Sequence, residues 1–479
     1  MVLSPRKLAC ALCIAFLISA IAMADGDDDG PGPGGHGDAP PGIGSGLPYS
    51  SNHMLLSANL SLGQIGGIGG TMGSGIWGWT DRTDPNSPVP REYALFGLTN
   101  GTSFVDVTNP SNPVYKGFLP TATGISTWRE LRSHGNHAFI VSDGNGAHGM
   151  QVFDLRQLRN YSGTPISFST APSSFYTRYT GINNAHTIDI NAATGFAYLY
   201  GTNTFSGGAH FVDINNPMTP VAAGGYVLPT SGGGTSRYVH DGQVVVYNGP
   251  DAAYLGREVL FAANGRSSGN INDDTVSIVD VSNKASPTFL GSVGHPDARY
   301  IHQGWLTPDQ RYFLVDDELD EFYDQSVMKT HVYDVSDLDN PVYKGGWVHP
   351  HNSKVIDHNL FIKQTPYGLM AFESNYTMGL RVIRIDDLSG PTPLMTEWGW
   401  FDTYPTDDAT KSFNGQWGNY PFFDSGTIIA GDRQNGLFIL QVVPEPSTWM
   451  LLMVGGIVFA MVLVRRSRKR HGFSVAAEQ

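Results

Sequence analysis

One short pattern organises the middle of the chain. A small or polar residue leads into a mostly apolar stretch, then an acid, then one more apolar residue. The pattern stands at Gly101–Val107, Gly149–Leu155, Gly208–Ile214, Thr275–Val281 and Lys329–Val335, with Asp in the sixth place each time. Gly379–Ile385 and Gly436–Val442 repeat it with Arg384 and Gln441 in that place. Such runs predict β-strands with one or both faces in a core. Several lead into a turn, Asn109-Pro110, Asn216-Pro217 or Asn340-Pro341, and then a further apolar strand. Proline fixes φ and the asparagine side chain bonds the local backbone, so these turns join antiparallel neighbours.

The runs recur at intervals of about 50 to 70 residues, room for four short strands each, which is the period of β-propeller blades. The fold class is therefore all-β, a seven-bladed β-propeller over residues 51–442. Helical periodicity is confined to the two ends of the chain. The phase of the repeat also predicts how the ring closes. Gly436–Val442 takes the third-strand place of blade seven, and no outer strand follows it. Met54–Leu60 precedes blade one and resembles the outer strand Pro113–Leu119. The N-terminal strand is expected to complete the last blade and cover its open edge.

Outside the repeats the patterning changes. Arg6 and Lys7 precede an apolar run that ends at Ala22-Met23-Ala24, the layout of a cleaved signal peptide over residues 1–24. A retained first transmembrane helix is the alternative, and the shortness of the run argues against it. Residues 25–50 are rich in Gly, Pro and Asp and form a linker that cannot bury a core. At the other end Pro444-Glu445-Pro446 precedes the apolar run Trp449–Val464 and the basic cluster Arg465–Arg470. The run is shorter than the about 20 residues of an ordinary spanning helix, and the basic cluster would hold that end in the cytoplasm.

This order of parts resembles the PEP-CTERM sorting signal, here residues 443–470 with a transmembrane helix at 449–464. The resemblance implies an exosortase-type sorting enzyme as partner, Pro444, Glu445 and Pro446 as sorting residues, and a transient stay in the cytoplasmic membrane. The short cytoplasmic tail 471–479 is longer than such signals usually carry, and a retained tail anchor remains the alternative reading.

The only cysteines, Cys10 and Cys13, lie within the signal peptide, so the mature fold rests on its core alone. Apolar residues make up 41% of the chain and aromatic ones 11%, enough to build one. The formal net charge is −14 with basic residues concentrated at the two ends, so the body is more acidic still. Such a body repels nucleic acid and anionic lipid and tolerates divalent cations.

The repeated apolar-apolar-Asp-apolar core resembles LVIVD repeats. Longer stretches, Ile76–Asp81, Gly101–Pro110, His137–Ser142, His302–Thr307 and Asp316–Glu321, resemble the choice-of-anchor B family. The resemblance implies a propeller displayed at the cell surface or secreted beyond it. It implies no reaction. Exopolysaccharide or surface proteins are the partners such a display suggests.

A second set of residues recurs near the start of each innermost strand: His186, His240, His302 and His358, with Arg129 and Asn414 in matching places. Inner strands begin at one mouth of the central channel, so residues repeated there form a ring. Four neutral imidazoles would offer nitrogens to a divalent transition-metal ion. As repeated strand caps, each would instead bond the backbone of a neighbouring blade. His134, His137, His349 and His351 fall outside the phase and are expected in loops. Asp316, Asp317, Glu318, Asp320 and Glu321 crowd five carboxylates together, either as a solvated loop or as a calcium loop. Trp77, Trp79, Trp305, Trp417 and Tyr420 would serve as core or as platforms for sugars. No nucleophile elbow, phosphate loop or zinc-protease helix is present. Two readings follow: a binding and interaction module of the surface or matrix, and a metal-dependent enzyme centred on the His ring.

Overall fold

The computed structural model describes residues 49–227, 238–265, 274–324, 327–351, 354–406 and 411–443. The signal peptide, nearly all of the linker, Pro444–Pro446, the apolar run 449–464 and the tail lie outside them. Among the described residues no helix is long and apolar enough to cross a membrane.

The described strands form seven antiparallel sheets in a ring. Blade one runs Gly73–Asp81, Arg91–Leu98, Gly101–Asp106 and Val114–Pro120 from the channel outward, and the others repeat it. All seven repeated runs are third strands. Their aspartates open the turn that follows. Asp106, Asp154, Asp213, Asp280 and Asp334 each accept the backbone N–H two residues on, at 2.9–3.1 Å. An Asx turn of this kind satisfies a donor that the ladder leaves free.

The core lies in seams between blades. Phe104 and Phe153 stack at 5.2 Å between blades one and two. Phe261 and Phe313 do the same at 5.6 Å between blades four and five. Each of the seven neighbouring pairs shares one such buried cluster. A ring built this way depends on every seam.

Met54–Leu60 pairs antiparallel with Gly436–Val442, from Met54 opposite Val442 to Leu60 opposite Leu437. The ring therefore closes through the N-terminal strand, as its phase predicts. The closure is stronger than expected. Ser51 and Asn52 add an edge to the outer strand of blade six, opposite Phe401 and Trp400. Tyr49 is buried against Phe401 and Phe438, so the N-terminal segment clamps blades six and seven together. A second unforeseen addition is Ile166–Ser167, which runs parallel to the outer strand of blade one and covers that edge.

Candidate functional site

The ring at the channel mouth is made by irregularities of the inner strands. In blades four, five and seven the pairing with the second strand skips one residue, and the skipped residues are His240, His302 and Trp417. A bulge leaves its extra residue unpaired and re-aims the side chain, here into the channel. His186 and His358 stand immediately before their inner strands, Thr187–Asn191 and Asn359–Thr365. Successive ring centroids lie 4.5 Å apart from His186 to His240, 4.0 Å to His302, 4.3 Å to His358 and 4.6 Å to Trp417.

This arc is a floor. Above it opens a cavity of about 510 Å3 lined by Asp143, Tyr238, Tyr300, Glu318, Tyr376 and Arg433 among others. Below it the channel narrows to about 20 Å3, lined by Arg129, Glu130, Arg132 and Asp241, roughly the room of one water.

His240 and His358 bond as strand caps. Nδ1 of His240 donates to the carbonyl of His302 at 2.8 Å, and Nδ1 of His358 to the carbonyl of Trp417 at 2.5 Å. His186 turns instead to Asp143, 3.1 Å from its Oδ2. Burial, helped by the neighbouring imidazoles, pushes His240, His302 and His358 well below the usual histidine pKa, so they are neutral. In a neutral ring whose Nδ1 donates, Nε2 carries the lone pair.

For His358 that lone pair meets Glu318, and His302 turns its Nε2 to the same carboxylate. His302 Nε2 lies 3.9 Å from Glu318 Oε2, and His358 Nε2 lies 3.8 Å from Glu318 Oε1. Ligand atoms of the three residues fall within 4.8 Å of one another, so they could hold one metal ion. Tyr376 donates its hydroxyl to Glu318 Oε1 at 2.6 Å. Burial raises the Glu318 carboxyl to about 7. His186 and His240 stand outside this group.

The model of the PEP-CTERM protein-sorting motif matches residues 442–469. That of the LVIVD repeat matches residues 92–121 and 271–294, parts of blades one and four. The chain carries LVIVD repeats in a seven-bladed propeller, and a PEP-CTERM sorting motif. The motif marks an exported protein, transiently anchored in the membrane, processed by an exosortase-type system and sorted to the cell surface. No curated protein matches the chain. Among solved structures, a protein from Lactobacillus plantarum is 13% identical, with a TM-score of 0.46 over 75% of this chain and 89% of that one. Hydrazine synthase from Kuenenia stuttgartiensis is 11% identical, with a TM-score of 0.48 over 72% and 91%.

Several residues of the LVIVD propeller lie where the sequence did not place them. Asn414 is outside the ring, exposed, and accepts from Gln434 at 2.8 Å. The extra bulge residue makes Trp417 the member from blade seven. Arg129 is wholly buried beneath the mouth, its Nε donating to the carbonyl of Leu98 at 2.9 Å. Its neighbour Trp128 reaches the cavity instead. His134 and His137 are not in loops but face each other across a hairpin. His349 and His351 do stand between strands, as expected, but His349 is buried beside Glu373, at 3.2 Å. His351 lies on the surface, 2.7 Å from Glu397.

The acidic run is not a solvated loop. Asp316, Asp317, Asp320 and Glu321 are all buried, and the run splits three ways. Asp317 accepts backbone N–H groups of Arg299 and Tyr300, each at 2.7 Å. Glu318 faces the mouth. Asp316, alternating with Leu314, turns to the seam with blade six, while Asp320 lies 4.0 Å from His331 on the side of blade four. Trp79 is core, and Trp77, Trp305 and Tyr420 pack with Phe361 and Phe422.

Asp143, Glu318 and Arg433 share a place that sequence reading passed over. Each directly follows a second strand, and in an antiparallel hairpin that end returns to where the first strand began. Once the third strands are known, this position can be counted off.

Proposed function

We propose that the mature protein is a cell-surface binding module that takes a small ligand at the channel mouth, on a transition-metal ion held by His302, His358 and Glu318. One observation carries the reading: two imidazole nitrogens and a carboxylate come within 4.8 Å of one another at the floor of a cavity. Two histidines and one carboxylate are a familiar metal set that leaves coordination positions open. The carbonyl bonded to Nδ1 of His358 and the Tyr376 hydroxyl on Glu318 are the outer contacts that orient such ligands. The cavity volume is in the range of small-ligand sites.

Trp128 and Phe413, both more than a third exposed, stand on the cavity wall. They offer faces on which a sugar of the exopolysaccharide, or a neighbouring surface protein, would stack. The resemblance to the choice-of-anchor B family fits such a display.

Metal-dependent catalysis is the second reading, favoured by the coordination positions left open toward the cavity. Elemental analysis of the purified mature protein tests both. One equivalent of iron, copper, manganese or zinc is expected, lost in His358→Ala and kept in His351→Ala. A folded protein that retains no such metal would overturn both readings.

A further inference from the structure

Among the described residues Arg433 is the one Lys or Arg side chain on the wall of the channel-mouth cavity. It directly follows the strand Thr427–Asp432 of blade seven. Its backbone is pinned on both sides, the N–H donating to the carbonyl of Gly415 at 2.8 Å and the carbonyl accepting from Gly73 at 2.9 Å. The guanidinium lies over the Trp417 ring, 4.9 Å from its centroid, where the arc of rings along the floor ends.

This guanidinium has no counter-ion. Among the described residues no carboxylate forms an ion pair with it, and its buried Nε has no partner. Nη2 lies 3.9 Å from the sulfur of Met72, a weak acceptor. The two acids on the cavity wall are committed elsewhere. Glu318 accepts from Tyr376 and faces His302 and His358. Asp143 is bonded by His186 at 3.1 Å and Asn184 at 2.6 Å. Burial lowers the Arg433 pKa below the ordinary arginine value, yet an arginine stays charged, and such a charge calls for an anion.

With a divalent ion in place, the ion and Arg433 outweigh Glu318 and Asp143. The mouth is then a local positive spot in a chain of formal net charge −14, and it draws anions. One guanidinium fits the two oxygens of one carboxylate. Phosphate is met by several cations or by rows of backbone N–H groups, and no second Lys or Arg lines this wall. Peptides dock along a sheet edge or in a groove, whereas a cup of about 510 Å3 among strand ends offers neither. Its walls suit a sugar: Trp128 and Phe413 present ring faces, and Tyr238 and Tyr300 add phenol groups.

We infer that the ligand of the mouth is a uronic acid, the acidic sugar unit of an exopolysaccharide, with its carboxylate on Arg433 and a hydroxyl on the metal ion. The inference rests on the metal reading above and names the ligand class for it.

Calorimetric titration tests it on the purified mature protein loaded with one equivalent of cobalt(II), with metal content measured on the same samples. The probes are D-glucuronate and D-galacturonate, their neutral parents D-glucose and D-galactose, and an aspartate-rich peptide. One uronate is expected to bind at least about 10-fold tighter than its neutral parent, the value of one charge-assisted hydrogen bond. Arg433→Met should erase that difference. Arg433→Lys, a second variant should the first not fold, keeps the charge without the fork and should retain part of it. A wild type that holds its metal yet binds neither uronate better than the neutral sugars, or prefers the peptide, would overturn this inference alone. A wild type that holds no metal but binds a uronate through Arg433 would overturn the metal reading and leave the pairing standing.

Discussion

Deleting residues 49–60 is expected to unfold the propeller or lower its melting temperature by more than about 10 °C. The deletion removes the outer strand of blade seven, the added edge of blade six and the Tyr49 clamp. Met54 and Ala58, both at most 5% exposed, leave the seams they fill. Gly436–Val442 would be left as an open edge, available to pair with another chain. The expected loss of several kcal/mol compares with a total margin of about 5–15 kcal/mol. Ala58→Glu tests the same contact without shortening the chain, because it pushes a charge into the seam with blade one. A truncated protein that melts with the parent would refute strand exchange as the device that closes the ring.

The second large effect concerns release from the membrane. Deleting Pro444–Pro446 should leave export intact and hold nearly all of the protein in the membrane fraction, where the parent passes to the surface or medium. The described fold ends just before this tripeptide, with the backbone N–H of Val443 donating to the carbonyl of His53 at 2.8 Å. The deletion therefore touches no blade, and the mutant should melt like the parent. Fractionation followed by immunoblotting reads the outcome. Release as efficient as the parent's would contradict a sorting role for the tripeptide.

Much of the fold was legible because its repeated unit is chemically uniform. The aspartate that ends five of the third strands needs only its own turn, so Asp106, Asp154 and Asp213 mark blades wherever they fall. Ring closure was legible because a third strand with no successor needs a partner. The site was legible only in part. His240 and His302 could be found because inner strands start at the mouth, but bulges shift the phase by a residue, which put Asn414 where Trp417 stands. Glu318 was hidden inside an acidic run, where strand alternation and the following turn send neighbouring carboxylates in opposite directions. The burial of Asp316 could not be read locally, since blade six supplies the other side of its seam.

Cobalt(II) titration of the purified, metal-stripped mature protein tests the claim about the channel mouth most directly. Imidazole ligation gives cobalt visible absorption stronger than that of the aquo ion, so spectra report the donors themselves. One equivalent is predicted to saturate the signal in the wild type. His186→Ala should behave like the wild type, because His186 bonds Asp143 and stands outside the group of three. His302→Ala and Glu318→Gln should weaken binding at least about 10-fold, the range for loss of a metal-site contact. A wild-type spectrum no different from aquo cobalt, or the same affinity in wild type, His302→Ala and Glu318→Gln, would contradict the account.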